Sequence, residues 1–422
     1  MIEKTLESSV GMSRVWDARK AGQEVAKNTI TNLDNPPSFF LLFSTIHYEK
    51  HGGFNEFLNG IWDVLPSGTP LIGGTVAGFM NQNGCYTRGA TGLAVYSENL
   101  EIEVGIGHNT KRNPKKAVGE CFSNFKGIND NKNQFIFEIV SGAEIPNFPR
   151  IGRHSVIKSK RMGEASVKLL PIISRLNMGA DKADEILDNI INHFPKSKLI
   201  GLTCMDDRKF VHNYQFFNDK VFENALCLMK INSNLNFELN TSFGLVERHM
   251  DEFDFELNHD KRLVQKINSN IATEELLNIV GITKDNVRML DRFYSQSFYY
   301  PFGYYMDDFI HACIVSGILG EKIYFANKVA KNKLKLFQLT GKQIFNSTEK
   351  IFSSLNVNND LVFMIMCETY IETLGCQIYN IYNFIKNKIK IPFLILFVSG
   401  ESVSYGNGVP HYLYESLNCL TI

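Results

Sequence analysis

Three glycines at the end of an apolar run could bind a phosphate group. The stretch PLIGGTVAGFMNQNG, residues 70–84, contains Gly73, Gly74 and Gly78. Backbone amides in such glycine-rich turns donate hydrogen bonds to phosphate oxygens, most effectively where a helix follows. The residues therefore raise the hypothesis of a nucleotide-binding loop.

The residue types exclude both common nucleotide motifs. A P-loop requires Lys and then Ser or Thr after its second glycine, whereas Phe79 and Met80 follow Gly78. The dinucleotide fingerprint requires Gly where this chain has Thr75. Two interpretations stay open: a tight turn that needs glycine, or a loop that binds a small polar ligand through its amides and the Thr75 hydroxyl.

Two polar groups follow apolar segments near the C-terminus. Cys367 ends the run VFMIMC, and Gly400-Glu401 follows FLILFVS. Ligands of α/β proteins bind at the carboxyl ends of strands, so both positions are candidate ligand contacts. A cysteine there is equally consistent with a small core residue. No catalytic motif is found, so no residue is assigned a catalytic role.

Three histidines lie inside the segments 39–48, 199–221 and 299–340. His47, His212 and His311 could each supply an axial ligand to a haem iron. The sequence has no CxxCH, no HExxH and no zinc-type spacing. We therefore expect no metal ion and no cofactor, with haem as the alternative.

Charge and hydropathy exclude several classes of partner. The 44 basic residues balance 44 acidic ones, whereas a nucleic-acid binder needs a basic field. Apolar runs such as 393–398 are far shorter than the ~20 residues that span a bilayer. The eight cysteines form no CxxC pair, which is typical of reduced thiols. We expect a cytoplasmic protein with no nucleic acid and no membrane insertion.

A recurring pattern predicts the elements that position these residues. Residues 56–75 read as an amphipathic helix, a proline and an apolar strand, and residues 184–203 repeat this order. Each is preceded by an apolar strand that ends in Ser, at 38–44 and 135–141. The predicted class is mixed α/β to α+β, with sheets covered by helices.

The same pattern predicts the domain organisation. Two similar strand–helix–strand units are expected over about residues 30–125 and 130–250, followed by a charge-dense connector at 250–290. Together they form an N-terminal domain, 1–290. Residues 291–422 alternate apolar strands with a helical segment and are expected to form an α+β domain.

Ordered motifs along the chain resemble the FIST family. GMSRVWDARKAGQEVAKN (11–28), FFLLFSTIHY (39–48), PLIGGTVAGFMNQNG (70–84) and the segment 199–221 resemble the FIST N domain. The segments 299–340, 362–375 and 400–408 resemble the FIST C domain.

This resemblance implies a sensory module in signal transduction that binds a small polar ligand, such as an amino acid. It implies relay through a partner protein such as a histidine kinase. Some relatives bind haem and respond to nitric oxide, so a haem-based gas sensor is the alternative, and a Cys- or carboxylate-dependent enzyme is a second one. The expected ligand contacts are Ser44, Gly73, Gly74, Thr75, Gly78, Cys367, Gly400, Glu401 and Tyr405.

The chain departs from the family pattern at one expected contact. The family usually has a basic residue two or three positions after the cysteine, whereas Glu368, Thr369 and Tyr370 follow Cys367 here. The resemblance therefore implies a different ligand at this C-terminal site, or none.

Overall fold

Three repeats of one strand-and-helix pattern form the framework of the chain. The computed structural model describes residues 6–127, 130–148, 152–248, 251–281, 294, 297–355 and 359–422. Each repeat runs strand, helix, strand, helix, strand, then a two-stranded hairpin and a closing strand.

The bounds of these elements are as follows. Repeat 1 comprises β1 (Glu7–Ser13), α1 (Ala18–Ile30), β2 (Phe39–Ser44), α2 (Phe54–Trp62), β3 (Leu71–Thr75), the hairpin β4 (Gly78–Asn81) and β5 (Gly84–Tyr86), and β6 (Ala90–Tyr96). Repeat 2 comprises β7 (Leu100–His108), α3 (Pro114–Ser123), β8 (Gln134–Val140), an insertion with β9 (Asn147–Phe148), β10 (Gly152–Arg153), β11 (Val156–Ile157) and α4 (Lys160–Arg175), then α5 (Ala183–His193), β12 (Lys198–Thr203), the hairpin β13 (Gln215–Phe217) and β14 (Lys220–Phe222), and β15 (Ala225–Ser233).

Repeat 3 carries a larger insertion between its first strand and its first helix. It begins with β16 (Glu238–Phe243). The insertion comprises β17 (Leu245–Glu247), β18 (Phe253–Leu257), β19 (Leu263–Ile267), β20 (Asn270–Ile271), α6 (Ala272–Ile279), β21 (Phe302–Met306), β22 (Phe309–Cys313), β23 (Val315–Leu319), β24 (Lys322–Phe325) and β25 (Lys333–Leu339). The repeat then continues with α7 (Gly341–Ser353), β26 (Val362–Cys367), α8 (Thr369–Leu374), α9 (Ile378–Lys388), β27 (Phe393–Val398), the hairpin β28 (Glu401–Tyr405) and β29 (His411–Leu413), and β30 (Ser416–Thr421).

The repeats exchange their hairpins in a cycle. Three six-stranded sheets have the orders β1-β6-β2-β3-β13-β14, β7-β15-β8-β12-β28-β29 and β16-β30-β26-β27-β4-β5. Each sheet therefore takes four strands from its own repeat and the hairpin of another. In all three sheets the second and third strands of the repeat pair in parallel, and the other neighbours pair antiparallel.

One face of every sheet packs into a shared central core. Phe43, Phe137 and Phe363 come from the three different sheets, and the ring of Phe363 lies 6.3 Å from that of Phe43 and 5.6 Å from that of Phe137. The outer faces pack against helices, as Phe40 and Leu42 do beneath α1 and α2. Side chains alternate between faces along a strand, so both faces must be apolar, which explains the continuous apolar strands.

The sequence-based fold class is confirmed. The mixed sheets are covered by helices, and the N-terminal part contains two similar units as predicted. Their bounds differ from the predicted ones: repeat 1 spans 7–96 and repeat 2 spans 100–233, so β7 and α3 open the second unit and do not close the first. The structure adds a third repeat, whose strands β16 and β30 pair across the large insertion. The junction predicted near residue 290 lies outside the described residues. Within the described part of the chain, no helix is both long and apolar enough to cross a bilayer.

Candidate functional site

A cavity of about 150 Å³ lies where the two insertions meet the strand ends of repeat 3. Its wall is apolar and includes Leu170 and Ile173 of α4 and Ile314 and Leu319 from the insertion of repeat 3. Repeat 3 contributes Cys367, Glu368, Thr369 and Glu415, which form the acidic end of the cavity, and Asp181, Glu144 and His154 also line it. We call this space the acidic cavity. Apolar clefts with a few polar groups are the usual form of a small-molecule site.

Two strand ends of repeat 3 position the acidic end. The apolar run of β26 ends at Cys367, so Glu368 and Thr369 begin the turn beyond the sheet. Glu415 directly precedes β30 with a φ of 56°, in the left-handed region that non-glycine residues seldom adopt. Such a conformation costs on the order of 1–3 kcal/mol and occurs often at functional sites.

Glu415 retains free hydrogen-bonding capacity inside the protein. Its side chain is fully buried, and its Oε2 accepts a hydrogen bond from the Thr369 hydroxyl at 2.5 Å. The same hydroxyl lies 3.1 Å from Cys367 Sγ. The other oxygen, Oε1, has no hydrogen-bond partner. A buried polar atom without a partner costs stability, so this oxygen marks a place where a ligand donor would fit.

The other acidic groups that line the cavity already have partners. Glu368 pairs with Arg208 at 2.8 Å, and Glu144 pairs with the buried Lys111 at 3.0 Å. Asp181 accepts a hydrogen bond from the Tyr412 hydroxyl at 3.3 Å. Glu368 Oε2 also makes no hydrogen bond, but the Arg208 cation lies beside it, whereas among the described residues Glu415 Oε1 has neither a hydrogen bond nor an ion pair.

Burial makes these acids reluctant to ionise. It raises the pKa of Glu415 to about 8 and that of Glu368 to about 7, the latter against the opposing effect of Arg208. Burial, followed by the neighbouring carboxyl groups, also raises the pKa of the Cys367 thiol well above its usual value. The thiol is thus protonated at neutral pH and is a poor nucleophile in the free protein.

The C-terminal residues expected to contact ligand occupy different environments. Cys367 lines the acidic cavity. Glu401 is fully buried beside it and accepts a hydrogen bond from the Ser416 hydroxyl at 2.8 Å. Gly400 packs against the Tyr412 hydroxyl, and the Tyr405 hydroxyl donates to Thr241 Oγ1 at 2.7 Å. A ligand role for these residues stays a prediction.

The glycine-rich stretch lies inside two sheets. Ser44, Gly73, Gly74 and Thr75 are fully buried in the first sheet, and Gly78 begins β4 in the third. The Thr75 hydroxyl accepts a hydrogen bond from the Tyr214 amide at 3.0 Å. Close strand packing accounts for glycine here, and ligand contact by these residues stays a prediction.

We expect Gly73→Ala to destabilise the protein. A Cβ at this position would overlap the carbonyl oxygen of Leu42 on the adjacent strand, and backbone cannot move aside as a flexible side chain can. Overpacking of this kind costs about 1–3 kcal/mol. Urea unfolding measures the loss, with Gly119→Ala, where a Cβ meets nothing within 4 Å, as the control. Equal stability of the two variants would contradict the packing argument.

The three candidate haem histidines lie in separate places. His47 is in repeat 1 beside Trp16, and His212 stacks on Tyr214. His311 lies in the insertion of repeat 3, with its Nε2 3.2 Å from Nδ1 of His411. No three His, Cys, Asp or Glu side chains among the described residues are arranged to hold a metal ion. The haem alternative stays a prediction.

Comparison with known proteins identifies the family. The model of the FIST N domain matches residues 4–118 and 38–247, which together make up more than half of the chain. The chain belongs to the FIST family. FIST domains are sensory domains of signal transduction. The resemblance of the C-terminal segments to FIST C lies beyond the matched residues and stays a prediction.

Other comparisons add little to the FIST assignment. A search of curated proteins finds no match. Among solved structures, the chain is similar to cyanuric acid hydrolase from A. caulinodans at 7% identity and a TM-score of 0.27. The alignment covers 55% of this FIST chain and 72% of the hydrolase. A similarity of this size supports no inference about activity.

Proposed function

We propose that this FIST chain senses a small ligand in the acidic cavity and passes the bound state to a partner protein. The partnerless Oε1 of Glu415, buried at the end of an apolar cleft, is the observation that supports this proposal most strongly. This oxygen can accept a hydrogen bond from a ligand, and the apolar wall can pack against a hydrocarbon group of the same ligand. A primary amine with a short branched chain has both features.

An amine suits this end better than an anion. Glu415 is largely protonated near pH 7, and an ammonium group beside it would favour the ionised form and gain charge-assisted hydrogen bonds, which are roughly twice as strong as neutral ones. An anion would meet Glu368 and Asp181 in addition to Glu415. The acid at position 368, where the family usually has a base nearby, fits the same conclusion. An amino acid remains the narrower form of the hypothesis, because it carries an ammonium group together with a carboxylate.

Helix α4 offers a route for the signal. Leu170 and Ile173 line the cavity, whereas Leu169, Ile172 and Leu176 of the same segment are exposed. A ligand that packs against the inner face would stabilise one position of α4 and thereby favour one state of its outer apolar face. We propose that the partner protein binds this outer apolar face of α4. A histidine kinase as the partner and a cytoplasmic location stay predictions.

A thermal-shift series tests the proposed ligand chemistry. We expect 3-methylbutylamine to raise the melting temperature in a saturable manner, because ligand binding to the native state stabilises it. The matched alcohol, 3-methylbutanol, has the same body without the ammonium group and should give little shift. Leucine, which adds a carboxylate, separates the amino-acid hypothesis from the simple amine.

The variant Glu415→Gln tests whether the amine binds in the acidic cavity. We expect it to weaken the amine at least tenfold, which corresponds to about 1.4 kcal/mol. Glu349→Gln, an exposed residue of α7, is the matched control and should bind as the unmodified protein does. An amine response that is absent, or that survives unchanged in Glu415→Gln, would overturn the proposal.

The two alternatives inferred from the family stay predictions. Neither a haem-based gas sensor nor a Cys- or carboxylate-dependent enzyme is favoured by a specific arrangement of the described residues. For a cysteine enzyme, the raised pKa of Cys367 is unfavourable, because the thiolate is the reactive form.

A further inference from the structure

Strand register identifies one position that recurs in all three repeats. The second strand of each repeat pairs on one side with the third strand and on the other with the closing strand. The matching partners are Ser44 with Thr75 and Ala90, Val140 with Thr203 and Leu226, and Met366 with Phe397 and Leu417. Two residues before the closing-strand partner lie Arg88, Asn224 and Glu415 respectively. The residue that defines the acidic cavity in repeat 3 is thus an amide in repeat 2 and a base in repeat 1.

In repeat 2 the residue at this position, Asn224, is hydrogen-bonded to an internal ion pair. Asn224 Oδ1 accepts a hydrogen bond from Lys111 Nζ at 2.6 Å, and the same ammonium group pairs with Glu144 at 3.0 Å. Lys111 is fully buried there. The position can therefore hold a charged group inside the protein, provided that a group of opposite charge accompanies it.

In repeat 1 the charged group lacks that companion. Arg88 Nη1 is buried and has no hydrogen-bond partner, and the Nε2 atom of His47 is also buried without one. The charge of Arg88 is close enough to contribute to the lowered pKa of His47, after burial as the main cause. Two ring or guanidinium nitrogens without partners therefore lie in one small region.

The donor role of His47 depends on where the single proton of the Thr45 hydroxyl points. That hydroxyl lies 2.8 Å from His47 Nδ1 and 3.2 Å from the Gly89 carbonyl oxygen, and it can donate to either one. With Thr45 donating to Nδ1, the ring proton is on Nε2. Arg88 Nη1 and His47 Nε2 are then two N–H donors that lack an acceptor.

Neighbouring acids have other partners, and an exposed side chain covers the site. Glu24 accepts a hydrogen bond from the Ser13 hydroxyl, and Asp17 accepts one from the Lys20 amide at the start of α1. Trp16 covers the region: its ring centroid is 3.8 Å from the Arg88 guanidinium carbon, and the residue is 53% exposed. Trp16 also packs edge-on against His47, so one exposed side chain contacts both residues.

We propose that repeat 1 contains a binding site for a small oxyanion, a carboxylate or phosphate group, held by Arg88 and His47 beneath Trp16. One oxygen of the anion would accept from Arg88 Nη1 and another from His47 Nε2. The site is independent of the acidic cavity and takes the opposite charge. The chain would then carry two ligand sites of opposite sign at equivalent positions of one repeated framework.

Tryptophan fluorescence tests this site directly. Inorganic phosphate and acetate are each titrated into the protein at constant ionic strength, with sodium chloride as the balancing salt. We expect a saturable change, because an anion that engages Arg88 alters its contact with Trp16. Trp62→Phe removes the other tryptophan and should leave the change in place. Saturation by phosphate alone assigns a phosphate group, and saturation by both anions assigns an oxyanion in general.

Variants separate specific binding from a general salt effect. Arg88→Gln and His47→Gln should each weaken binding at least tenfold, and Arg88→Lys should weaken it less, since charge is retained without the guanidinium fork. Arg14→Gln, whose guanidinium stacks on Tyr86, is the matched control and should titrate as the unmodified protein does. Circular dichroism checks that each variant is folded. If Arg88→Gln does not fold, the comparison of Arg88→Lys and His47→Gln with the unmodified protein provides the test. A linear response, or equal midpoints in all variants, would overturn the proposal.

Discussion

Replacing Arg262 by Met is expected to lower the free energy of unfolding by about 3–5 kcal/mol, the usual cost of removing one partner of a buried ion pair. Arg262 is 1% exposed and directly precedes β19 in the insertion of repeat 3. Its Nη2 lies 2.5 and 2.8 Å from the two carboxylate oxygens of Asp184 in α5, and its Nη1 donates to the carbonyl oxygen of Ala326. The variant leaves Asp184 without its cation and loosens the insertion from repeat 2.

The measurement is urea unfolding followed by circular dichroism, with a surface pair as the control. Arg19 bonds to Asp63 at 2.9 Å, but both side chains are substantially exposed. Solvent and salt screen exposed pairs, so Arg19→Met should change stability little. If the two variants lose the same amount of stability, the buried pair does not hold the insertion in place.

Acid is expected to destabilise the protein through His311. Burial, followed by His411 and Lys331, lowers the pKa of His311 from 6.5 to about 3. In the unfolded chain the imidazole accepts a proton near pH 6.5, whereas in the folded chain it stays neutral until about pH 3. Stability from this group is therefore complete above pH 6.5 and is lost as the pH falls towards 3.

The variant His311→Phe isolates this effect. Phenylalanine keeps the stack on Tyr304, whose ring lies 5.3 Å away, and removes the titration. Between pH 6 and 4 we expect the unmodified protein to lose up to about 1.4 kcal/mol per pH unit relative to the variant. Glu138 and Glu415, whose raised pKa values act in the opposite direction, cancel in the difference. Parallel stability curves for the two proteins would refute the assignment.

Local sequence patterns were sufficient to predict the sheets and two of the repeats. The run Phe39–Phe43 is apolar at every position because both faces of β2 are buried, one in the central core and one beneath α1 and α2. Pro66 and Pro195 follow α2 and α5 at equivalent places, which made repeats 1 and 2 recognisable.

Only the C-terminal half of the third repeat was predicted, as apolar strands alternating with a helical segment, since sequence distance conceals the whole repeat. An insertion of 97 residues, 244–340, separates β16 from α7, so the opening strand and first helix of repeat 3 are not neighbours in sequence. The exchange of hairpins is likewise a long-range choice of strand partner. The residues of β28 do not indicate that this strand pairs with β12 rather than with a strand of its own repeat.

The site was predicted only at Cys367, because the cavity depends on both insertions. Glu415 was missed, although HYLYESLNCL holds a single acid in an otherwise weakly charged stretch, and that was a usable signal. Its left-handed backbone, its bond to Thr369 and its partnerless oxygen depend on the folded chain. Arg88 illustrates the same limit, since its equivalence to Glu415 exists only in the strand register.

The cyclic exchange of hairpins has a consequence for how the chain reaches its native state. No repeat can complete its own sheet: β3 needs the hairpin of repeat 2, β12 that of repeat 3, and β27 that of repeat 1. The last of these joins residues more than three hundred positions apart, so the contact order is high and folding should be slow. A nascent chain therefore exposes unfilled sheet edges until β30 has been synthesised, and it needs protection from aggregation throughout translation.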